Sequence, residues 1–337
     1  MQNERIIVAA RGGPENLKLV AEPMPVPGPG QVLIRAAASG VAYADVVMRE
    51  GLYPGAPPFP LTPGYDVVGT VAALGSGVTG LSVGDSVAAL TVHGCYARHV
   101  VAQADDVVPV PGGLDPAEAV SLVLNYLTAW QMLHRCAHVA AGDAVLVHGA
   151  AGGVGTALLQ LGRLAGLTCY GTASAGKHKL VAELGGIPID YRTEDFVARV
   201  KRDGDGVLAV FDPIGGAHWK RSYAALAPTG TLVCYGFYDA LSGGRRNLIG
   251  AARALLGMPR YTPLKLFGDN KAITPYIITA WRDRRRSLYR QDLASLIALL
   301  ADRKITPVIA ERVPLADAAR AHDLLGNAKL AGKIVLV

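Results

Sequence analysis

The sequence predicts an α/β protein with two domains, an antiparallel barrel-like β domain and a doubly wound parallel-sheet domain. Short β-type runs separated by Gly- and Pro-rich turns fill residues 1–122, a pattern typical of all-β barrels. Strands that alternate with helical stretches follow in 123–282, which indicates parallel βαβ units. Because the α/β pattern is complete before residue 283, we expect the tail, 283–337, to return to the first domain and make it discontinuous.

Composition and charge limit the class of protein. The chain has 337 residues, of which 51% are hydrophobic and 18% charged, and this excludes a disordered or fibrous protein. Its 33 basic and 27 acidic residues give a net charge of +6, but the basic residues are scattered, so we expect no nucleic-acid partner. The one local run, Arg282 with Arg284–Arg286, we interpret as a solvated face rather than a phosphate-binding patch.

Cysteine usage and the apolar pattern indicate a cytoplasmic protein. The four cysteines form no C-x-x-C pair and no zinc-ribbon spacing, so we expect reduced, packed thiols. The N-terminus lacks the apolar core of a signal peptide, and every apolar run is interrupted before about 18 residues by a charge, Gly or Pro. We therefore expect no membrane partner. The eight histidines show no metal-ligand spacing, and we expect them to be structural.

The first domain contains predicted strands and is followed by a helix. The strands are Arg5–Ala9, Val32–Ala38, Val67–Leu74, Ser86–Leu90 and Arg98–Val101. The helix covers Asp115–Leu133, with Asp115 as its N-cap and Pro116 in its first turn. In the tail, we predict helices at Asp292–Ala301 and Ala316–Leu325 and a last strand at Lys333–Val337.

The second domain alternates strands with helices. Its predicted strands are Ala144–His148, Thr168–Thr172, Ile187–Asp190, Leu208–Asp212 and Thr231–Tyr235. Its predicted helices are Thr156–Ala165, Lys177–Leu184 and Glu194–Lys201.

A glycine-rich turn, VLVHGAAGGVG (145–155), joins the first of these strands to its helix. Its G-x-x-G-x-x-G spacing allows a tight turn, close approach of backbone N–H groups to a pyrophosphate, and close packing of the helix on the strand. Phosphates are favoured there because the helix N-terminus offers N–H groups and a positive dipole end. The turn follows a strand and opens a helix within a βαβ unit, so we predict a dinucleotide site. The predicted contacts are Gly149, Gly152, Gly153, Val154 and Gly155.

The end of the second strand of this domain indicates which dinucleotide binds. NAD enzymes place an acidic residue there to hold the ribose 2′-hydroxyl, whereas this strand is followed by Ala173 and Ser174. Lys177 comes next, and a hydroxyl with an ammonium suits a 2′-phosphate. NADP(H) is therefore the predicted cofactor. In an alternative that is compatible with this one, Ser174 caps the next helix and Lys177 is solvated.

These features coincide with a family resemblance that covers nearly the whole chain. The segments that carry it are SGVAYADVVMREGLYP (39–54), GYDVVGTV (64–71), the glycine-rich turn, IDYRTED (189–195) and the closing GKIVLV. They resemble the medium-chain dehydrogenase/reductase superfamily, and in particular its zinc-free quinone oxidoreductase group. Other segments look most like the vesicle amine transport protein branch of that group: NYLTAW (125–130), TASAGKHK (172–179), DPIGG (212–216) and GGRRNL (243–248).

The resemblance implies a GroES-like barrel with a Rossmann domain, and a homodimer paired through the last Rossmann strand at 272–279. Zinc enzymes of the superfamily use a Cys, a His with an adjacent Glu, and a later Cys or Asp. The matching positions here are Ala42, Tyr65 with Asp66, and Leu124–Asn125. Because these do not form a zinc-type ligand set, and the lobe that binds structural zinc has no counterpart, we expect no metal.

Without a Lewis acid, the expected chemistry is hydride delivery from NADPH to a quinone or an α,β-unsaturated carbonyl. The resemblance implies a proton donor at Tyr53, a residue near the nicotinamide at Thr128, and one near the 2′-phosphate at Tyr191. Each also has a structural alternative. Tyr53 would be an aromatic wall of the pocket, Thr128 a helix residue that hydrogen-bonds to its own backbone, and Tyr191 an ordinary aromatic residue at a strand end. Three residues after a Rossmann strand are predicted to flank the nicotinamide: Tyr235, Gly236 and Phe237.

Two other functions stay open at this point. The group generally carries an Asn near the cofactor where this chain has Ala42, so one alternative is an NADP(H)-binding protein without turnover that acts through partners. Tyr43 and Asp45 are polar neighbours that would compensate for this loss. The other alternative is a reductase of enoyl thioesters carried by CoA or a carrier protein. The stretch 251–291 matches no family motif, and we expect it to shape the substrate mouth, the dimer interface or both.

Overall fold

The computed structural model describes residues 2–202, 204–238, 256–327 and 330–337, and the backbone alone of 241–242 and 245–246. The side chains of GGRRNL and of 251–255 lie outside the described residues. The chain divides into two compact units. The first combines Met1–Leu127 with Gly243–Arg246 and Ile278–Val337, and the second combines Thr128–Ser242 with Asn247–Ile277.

The strands are numbered in chain order. They are β1 (Gln2–Val8), β2 (Leu17–Pro23), β3 (Gln31–Val41), β4 (Asp66–Leu74), β5 (Ser86–Leu90), β6 (His99–Gln103), β7 (Val107–Pro109), β8 (Ala144–Val147), β9 (Thr168–Ala173), β10 (Gly186–Asp190), β11 (Val207–Asp212), β12 (Leu226–Cys234), β13 (Leu241–Ser242), β14 (Arg245–Arg246), β15 (Ala272–Pro275), β16 (Ile309–Val313) and β17 (Lys333–Leu336).

The helices are numbered in the same way. They are α1 (Tyr43–Arg49), α2 (Pro116–Ser121), α3 (Leu127–Gln131), α4 (Gly153–Leu164), α5 (His178–Glu183), α6 (Phe196–Val200), α7 (His218–Ala225), α8 (Pro263–Asp269), α9 (Ile278–Arg284), α10 (Arg286–Ala301) and α11 (Ala318–Gly326). The predicted helix from Asp115 is interrupted by π-helical turns at Leu122–Tyr126 and Met132–Cys136. Its predicted N-cap is confirmed, because the Asp115 carboxylate accepts the N–H of Ala117 at 3.3 Å.

The first unit is built on one largely antiparallel sheet. Its strand order is β16-β17-β3-β4-β5-β7, and β6 also pairs with β3. The C-terminal strand β17 lies antiparallel to β3, with Val335 opposite Gly40. The tail therefore returns to the first unit, and the predicted discontinuous β domain is confirmed.

Alternating residues of these strands form the core of the first unit. Val32 and Ile34 of β3 and Val67 and Val71 of β4 are buried in one apolar cluster, as the two-residue period of a strand requires. Between the last two, a Cβ at Gly69 would lie 2.1 Å from the carbonyl oxygen of Arg35. The close approach of β3 to β4 therefore depends on a glycine at this position.

The second unit is a doubly wound parallel sheet, as predicted. Its strand order is β10-β9-β8-β11-β12-β15, and all neighbours are parallel. The chain runs outward in one direction from β8 and in the other from β11, so the topological switch point lies between these two strands. Ligands of such sheets bind at the carboxyl ends of the strands beside the switch point.

Some elements were not predicted from the sequence. Strand β2 pairs with β1 and its residues are mostly exposed, so it has no strong apolar alternation. Helix α1 contains β-branched residues that favour strands, but the Asp45 carboxylate accepts the N–H of Ala42 at 2.9 Å and stabilises the first turn. The last Rossmann strand was predicted at 272–279 but ends at Pro275, because α9 begins at Ile278.

The four cysteines are buried and none forms a disulfide, in agreement with the expected packed thiols. No helix in the described part of the chain combines the length and apolar character that a membrane span requires.

Candidate functional site

The glycine-rich turn has the geometry that its spacing predicts. Gly149 follows β8 with a φ of +64°, a left-handed conformation that favours glycine. A Cβ at Gly155 would lie 2.2 Å from the carbonyl oxygen of Gly149, so close packing of α4 on the turn requires a glycine there. Helix α4 begins at Gly153, and its first N–H groups have no acceptors within the helix. N–H groups at such a helix N-terminus favour phosphate binding.

The residues predicted to hold a 2′-phosphate lie at one edge of the sheet. Strands β9 and β10 are parallel neighbours, and Ala173 is opposite Asp190 at their carboxyl ends. Ser174 and Tyr191 follow these two ends directly, and Lys177 closes the short helical turn after β9. Ser174 occupies the N-cap position of this turn, as the capping alternative predicts, but its side chain makes no capping hydrogen bond.

Two features of this edge bear on anion binding. Partial burial lowers the pKa of Lys177. The structure also places Arg192, which was not predicted, with its guanidinium 5.6 Å from the ring centroid of Tyr191. The signal that sequence reasoning overlooked was the basic residue next to the tyrosine in IDYRTED.

The segment predicted to flank the nicotinamide, Tyr235–Phe237, follows β12 and contacts the loop that follows β11. The Asp212 carboxylate accepts the N–H groups of Ile214 at 2.7 Å and Gly215 at 3.3 Å. The N–H of Tyr235 donates to the carbonyl oxygen of Asp212 at 3.1 Å. A Cβ at Gly215 would lie 3.0 Å from the ring of Phe237, which is itself 52% exposed. The loop 212–216 and the segment after β12 therefore form one hydrogen-bonded, partly exposed corner of the second unit.

A buried polar cluster supports this corner. The Ser222 hydroxyl lies 2.6 Å from Oδ2 of Asp212, 3.1 Å from Nε2 of His148 and 3.3 Å from Nδ1 of His218. Thr172 is 3.0 Å from Nδ1 of His148, and burial lowers the pKa of this histidine to about 3. Donor atoms of His148, Asp212 and His218 lie within 4.8 Å of one another, a convergence that the sequence spacing did not reveal. Both ring nitrogens of His148 and both carboxylate oxygens of Asp212 already have hydrogen-bond partners, and Nδ1 of His218 lies 2.8 Å from Oδ2 of Asp212.

Thr128 and Tyr53 belong to different units. Thr128 lies on α3 in the second unit and is 6% exposed. Tyr53 lies in the first unit, in the segment after α1, and is half-buried.

The Tyr53 hydroxyl has a partner that was not predicted as a site residue. The hydroxyl of Tyr65, a residue that is 3% exposed, donates a hydrogen bond to the hydroxyl of Tyr53. Their rings meet edge to face, with centroids 6.0 Å apart and an interplanar angle of 77°. Burial and the neighbouring Tyr53 raise the pKa of Tyr65 far above its ordinary value, so this phenol stays protonated. The two tyrosines form a pair of hydroxyls, defined here as the Tyr53–Tyr65 pair.

The prediction that Arg282 and Arg284–Arg286 form a solvated face is wrong for Arg282. The Arg282 side chain is 16% exposed, and its guanidinium donates to the carbonyl oxygen of Leu90 at 2.9 Å. Its positive charge lowers the pKa of Tyr65, against the larger effect of burial. Arg284–Arg286 are exposed, as expected. The spacing of the run does not reveal that α9 buries its first arginine.

The positions that match zinc ligands do not fit a zinc ion. The Ala42 side chain offers no ligand atom, and the Tyr65 hydroxyl donates its hydrogen to the Tyr53 hydroxyl. The ammonium of Lys333 lies 3.3 Å from Oδ2 of Asp66 and 3.4 Å from Oδ1 of Asn125. An ammonium only donates and carries positive charge, so the polar groups here are arranged around a cation of the protein itself.

Asp45 does not face a ligand, so it does not replace the Asn that the group carries at the position of Ala42. Its carboxylate is fully buried and accepts hydrogen bonds from the N–H groups of Ala42 and Gly64, both at 2.9 Å, and from the Tyr96 hydroxyl at 3.1 Å. Burial raises the pKa of Asp45 to about 7, and the two backbone donors oppose that shift.

Comparison with known proteins identifies the family. Residues 28–112 match the alcohol dehydrogenase GroES-like domain, and residues 186–336 match the family described as zinc-binding dehydrogenase. The synaptic vesicle membrane protein VAT-1 homolog of Rattus norvegicus is 37% identical over 98% of this chain and 83% of its own length. The chain belongs to the medium-chain dehydrogenase/reductase superfamily.

Within the superfamily, solved structures place the chain beside quinone oxidoreductases. A mycobacterial protein complexed with NADPH is 34% identical, with a TM-score of 0.87 and 99% of each chain covered. The Escherichia coli quinone oxidoreductase complexed with NADPH is 27% identical, with a TM-score of 0.86 over 99% of each chain. The predicted membership of the quinone oxidoreductase group is confirmed.

Proposed function

We propose that this chain is an NADPH-dependent reductase that transfers a hydride to a quinone or an α,β-unsaturated carbonyl. The observation that carries the proposal is the edge of the second unit, where the glycine-rich turn is followed by Ser174, Lys177 and Tyr191 at neighbouring strand ends. Arg192 adds a second basic group there. The NADPH in the complexes of two structural relatives supports the same cofactor.

Some of the site residues bind the cofactor, and one acts on the acceptor. Bound NADPH would supply the hydride. We assign the pyrophosphate to the 149–155 turn, and the nicotinamide side to Thr128 and Tyr235–Phe237. Tyr53 is the proton donor: its O–H bond breaks as the proton passes to the atom that carries negative charge after hydride transfer. A phenol suits this task because it is a neutral donor at pH 7.

The reaction needs no metal ion in this proposal. The support is Lys333, whose buried ammonium contacts Asp66 and Asn125 at the positions that match the zinc site of relatives. Turnover is therefore expected to be unchanged after dialysis against a chelator. A loss of turnover that zinc restores would contradict this part of the proposal.

The test of function is NADPH oxidation against three acceptor classes, a quinone, an enone and an enoyl-CoA, with NADH run in parallel. Turnover on the quinone or enone supports the proposed reaction. Preferential turnover on enoyl-CoA would replace it with the enoyl-thioester alternative. Tight NADPH binding with no turnover on any acceptor would favour a non-catalytic cofactor-binding protein, and Ala42→Asn would then be the first variant to make.

Lys177→Ala is expected to weaken NADPH binding about ten- to hundredfold and NADH binding less than about twofold. The reason is that a charge-assisted hydrogen bond to phosphate contributes about 1.5–3 kcal/mol, and NADH lacks the 2′-phosphate. Dissociation constants from fluorescence titration measure the effect. Lys179→Ala is the matched control, because the Lys179 side chain is 91% exposed. Equal losses for the two cofactors would remove Lys177 from the 2′-phosphate site.

The proposed assembly is a homodimer paired through β15. Among the described strands, β15 lies at the edge of the parallel sheet, where its outer backbone groups can pair with a second copy. Ile277, just beyond it, is 60% exposed. Light scattering should give twice the 35.1 kDa mass of the chain, and a single-chain mass would contradict the dimer.

A further inference from the structure

The Tyr53–Tyr65 pair has a defined direction. Each phenol has one hydroxyl hydrogen, and Tyr65 donates its hydrogen to the oxygen of Tyr53. In the described part of the chain, the Tyr53 hydroxyl makes no other hydrogen bond. The hydrogen of Tyr53 therefore remains available for an acceptor outside the protein, while its oxygen accepts the hydrogen bond from Tyr65.

The surroundings of the pair keep that direction fixed. Tyr65 is buried, and its neighbours Tyr53 and Asp45 disfavour a negative charge on its oxygen. The carboxylate of Asp45 is occupied by two backbone N–H groups and by Tyr96, so Tyr65 is not drawn to it. Arg282 is held by the carbonyl oxygen of Leu90 and contributes positive charge near the pair. A negative charge on the oxygen of Tyr53 would thus meet the hydrogen-bond donor of Tyr65.

We propose that Tyr65 is a positioning residue that aims the Tyr53 hydroxyl and stabilises the charge that forms on its oxygen during proton transfer. This inference rests on the proposed function. In the step, the acceptor gains a hydride from NADPH, the O–H bond of Tyr53 breaks, and the new bond joins that proton to the reduced acceptor. Solvent later returns a proton to the Tyr53 oxygen.

The contribution of Tyr65 is larger in the transition state than in the ground state. A neutral hydrogen bond between two phenols becomes charge-assisted as the Tyr53 oxygen gains negative charge, and charge-assisted bonds are roughly twice as strong. An interaction that strengthens in the transition state raises kcat rather than affinity. We therefore expect Tyr65→Phe to lower kcat about ten- to hundredfold and to leave KM for NADPH and the acceptor within about twofold.

Four variants test the inference with the acceptor that turns over best: Tyr65→Phe, Tyr53→Phe, the double variant and Tyr126→Phe. Tyr126 is the matched control because it is a buried tyrosine of the same unit whose hydroxyl has no hydrogen-bond partner among the described residues. Thermal midpoints and circular dichroism of each variant establish that it is folded. Loss of kcat in Tyr65→Phe at unchanged KM, with no further loss when it is added to Tyr53→Phe, would support the inference.

The contrary outcomes separate the two proposals. Full kcat in Tyr65→Phe, when Tyr53→Phe is impaired, would overturn the role of Tyr65 and leave Tyr53 as the proton donor. Full kcat in Tyr53→Phe would overturn both the proton-donor assignment and the inference built on it. A loss in Tyr126→Phe equal to that in Tyr65→Phe would show a general effect of removing buried hydroxyls, and would overturn the positioning role.

Discussion

Lys333→Met is expected to lower the free energy of unfolding by about 3–5 kcal/mol at pH 7.5, because removing one partner of a buried ion pair leaves the other charge uncompensated. The side chains of Lys333 and Asp66 are 3% and 0% exposed, and Nζ lies 3.3 Å from Oδ2. The space for the pair exists because residue 40 is a glycine; a Cβ there would lie 2.4 Å from both Oδ1 of Asp66 and Cε of Lys333. Equilibrium unfolding in urea measures the effect.

Two further variants show whether the loss comes from the unpaired charge. In Asp66→Asn combined with Lys333→Met, no charge remains buried, and most of the lost stability should return. Lys304→Met is the matched surface control, since Lys304 and Asp302 are 3.4 Å apart with side chains 56% and 60% exposed, and such pairs contribute about 0–1 kcal/mol. If Lys333→Met costs no more than this control, the buried pair does not stabilise the fold.

The pH dependence of the Lys333 variant has a definite sign. Burial raises the pKa of Asp66, and Lys333 opposes that shift. Without Lys333 the folded protein holds a proton on Asp66 to higher pH than the unfolded chain does, so stability falls as pH rises. The difference from the native protein should therefore be larger at pH 8 than at pH 5.

The sequence predicted the two-domain organisation of the fold because each domain has a local signature. The alternation of strands and helices from Ala144 to Cys234 reflects buried parallel strands. The glycine spacing of 149–155 reflects a tight turn whose backbone conformation favours glycine. The return of the tail was inferable because the parallel pattern ended early. The weakly patterned elements, such as β2 and α1, were missed because pairing with β1 and the side chain of Asp45 determine them rather than periodicity.

Positions at neighbouring strand ends were more predictable from the sequence than contacts between residues far apart in the chain. Ser174, Lys177 and Tyr191 follow strand ends, and parallel pairing of β9 with β10 places such positions at one edge. The contacts of Arg282 with Leu90 and of Ser222 with His148 join residues 192 and 74 positions apart. No spacing rule gives such contacts, since they depend on how α9 packs in the first unit and α7 in the second.

Acid should destabilise the protein through a histidine that is buried in its neutral form, His322. Its Nδ1 lies 3.3 Å from Nη1 of Arg49, and a guanidinium can only donate, so Nδ1 must be the acceptor. The proton then resides on Nε2, which donates to the Tyr96 hydroxyl at 3.1 Å. A second proton would face the Arg49 donor. Burial, and then the charge of Arg49, lower the pKa of His322 to about 3.

The sign of the effect follows from proton uptake by the unfolded chain. Well above pH 6.5 the imidazole is neutral in both states, and between about 6.5 and 3 the unfolded state binds a second proton that the folded state does not. The free energy of unfolding therefore falls as pH falls, by about 2 kcal/mol at pH 5 and about 5 kcal/mol near pH 3. Asp45, with its pKa raised to about 7, acts in the opposite sense over part of this range.

Comparing variants isolates the contribution of His322 to the loss of stability in acid. His322→Gln keeps an acceptor for Arg49 and a donor for Tyr96 but cannot titrate. The stability deficit of this variant relative to the native protein should shrink by about 2 kcal/mol between pH 7.5 and pH 5 in urea unfolding. A deficit for His322→Gln that is constant with pH would mean that the folded protein accommodates a charged imidazole beside Arg49, which contradicts the hydrogen-bond directions in this network.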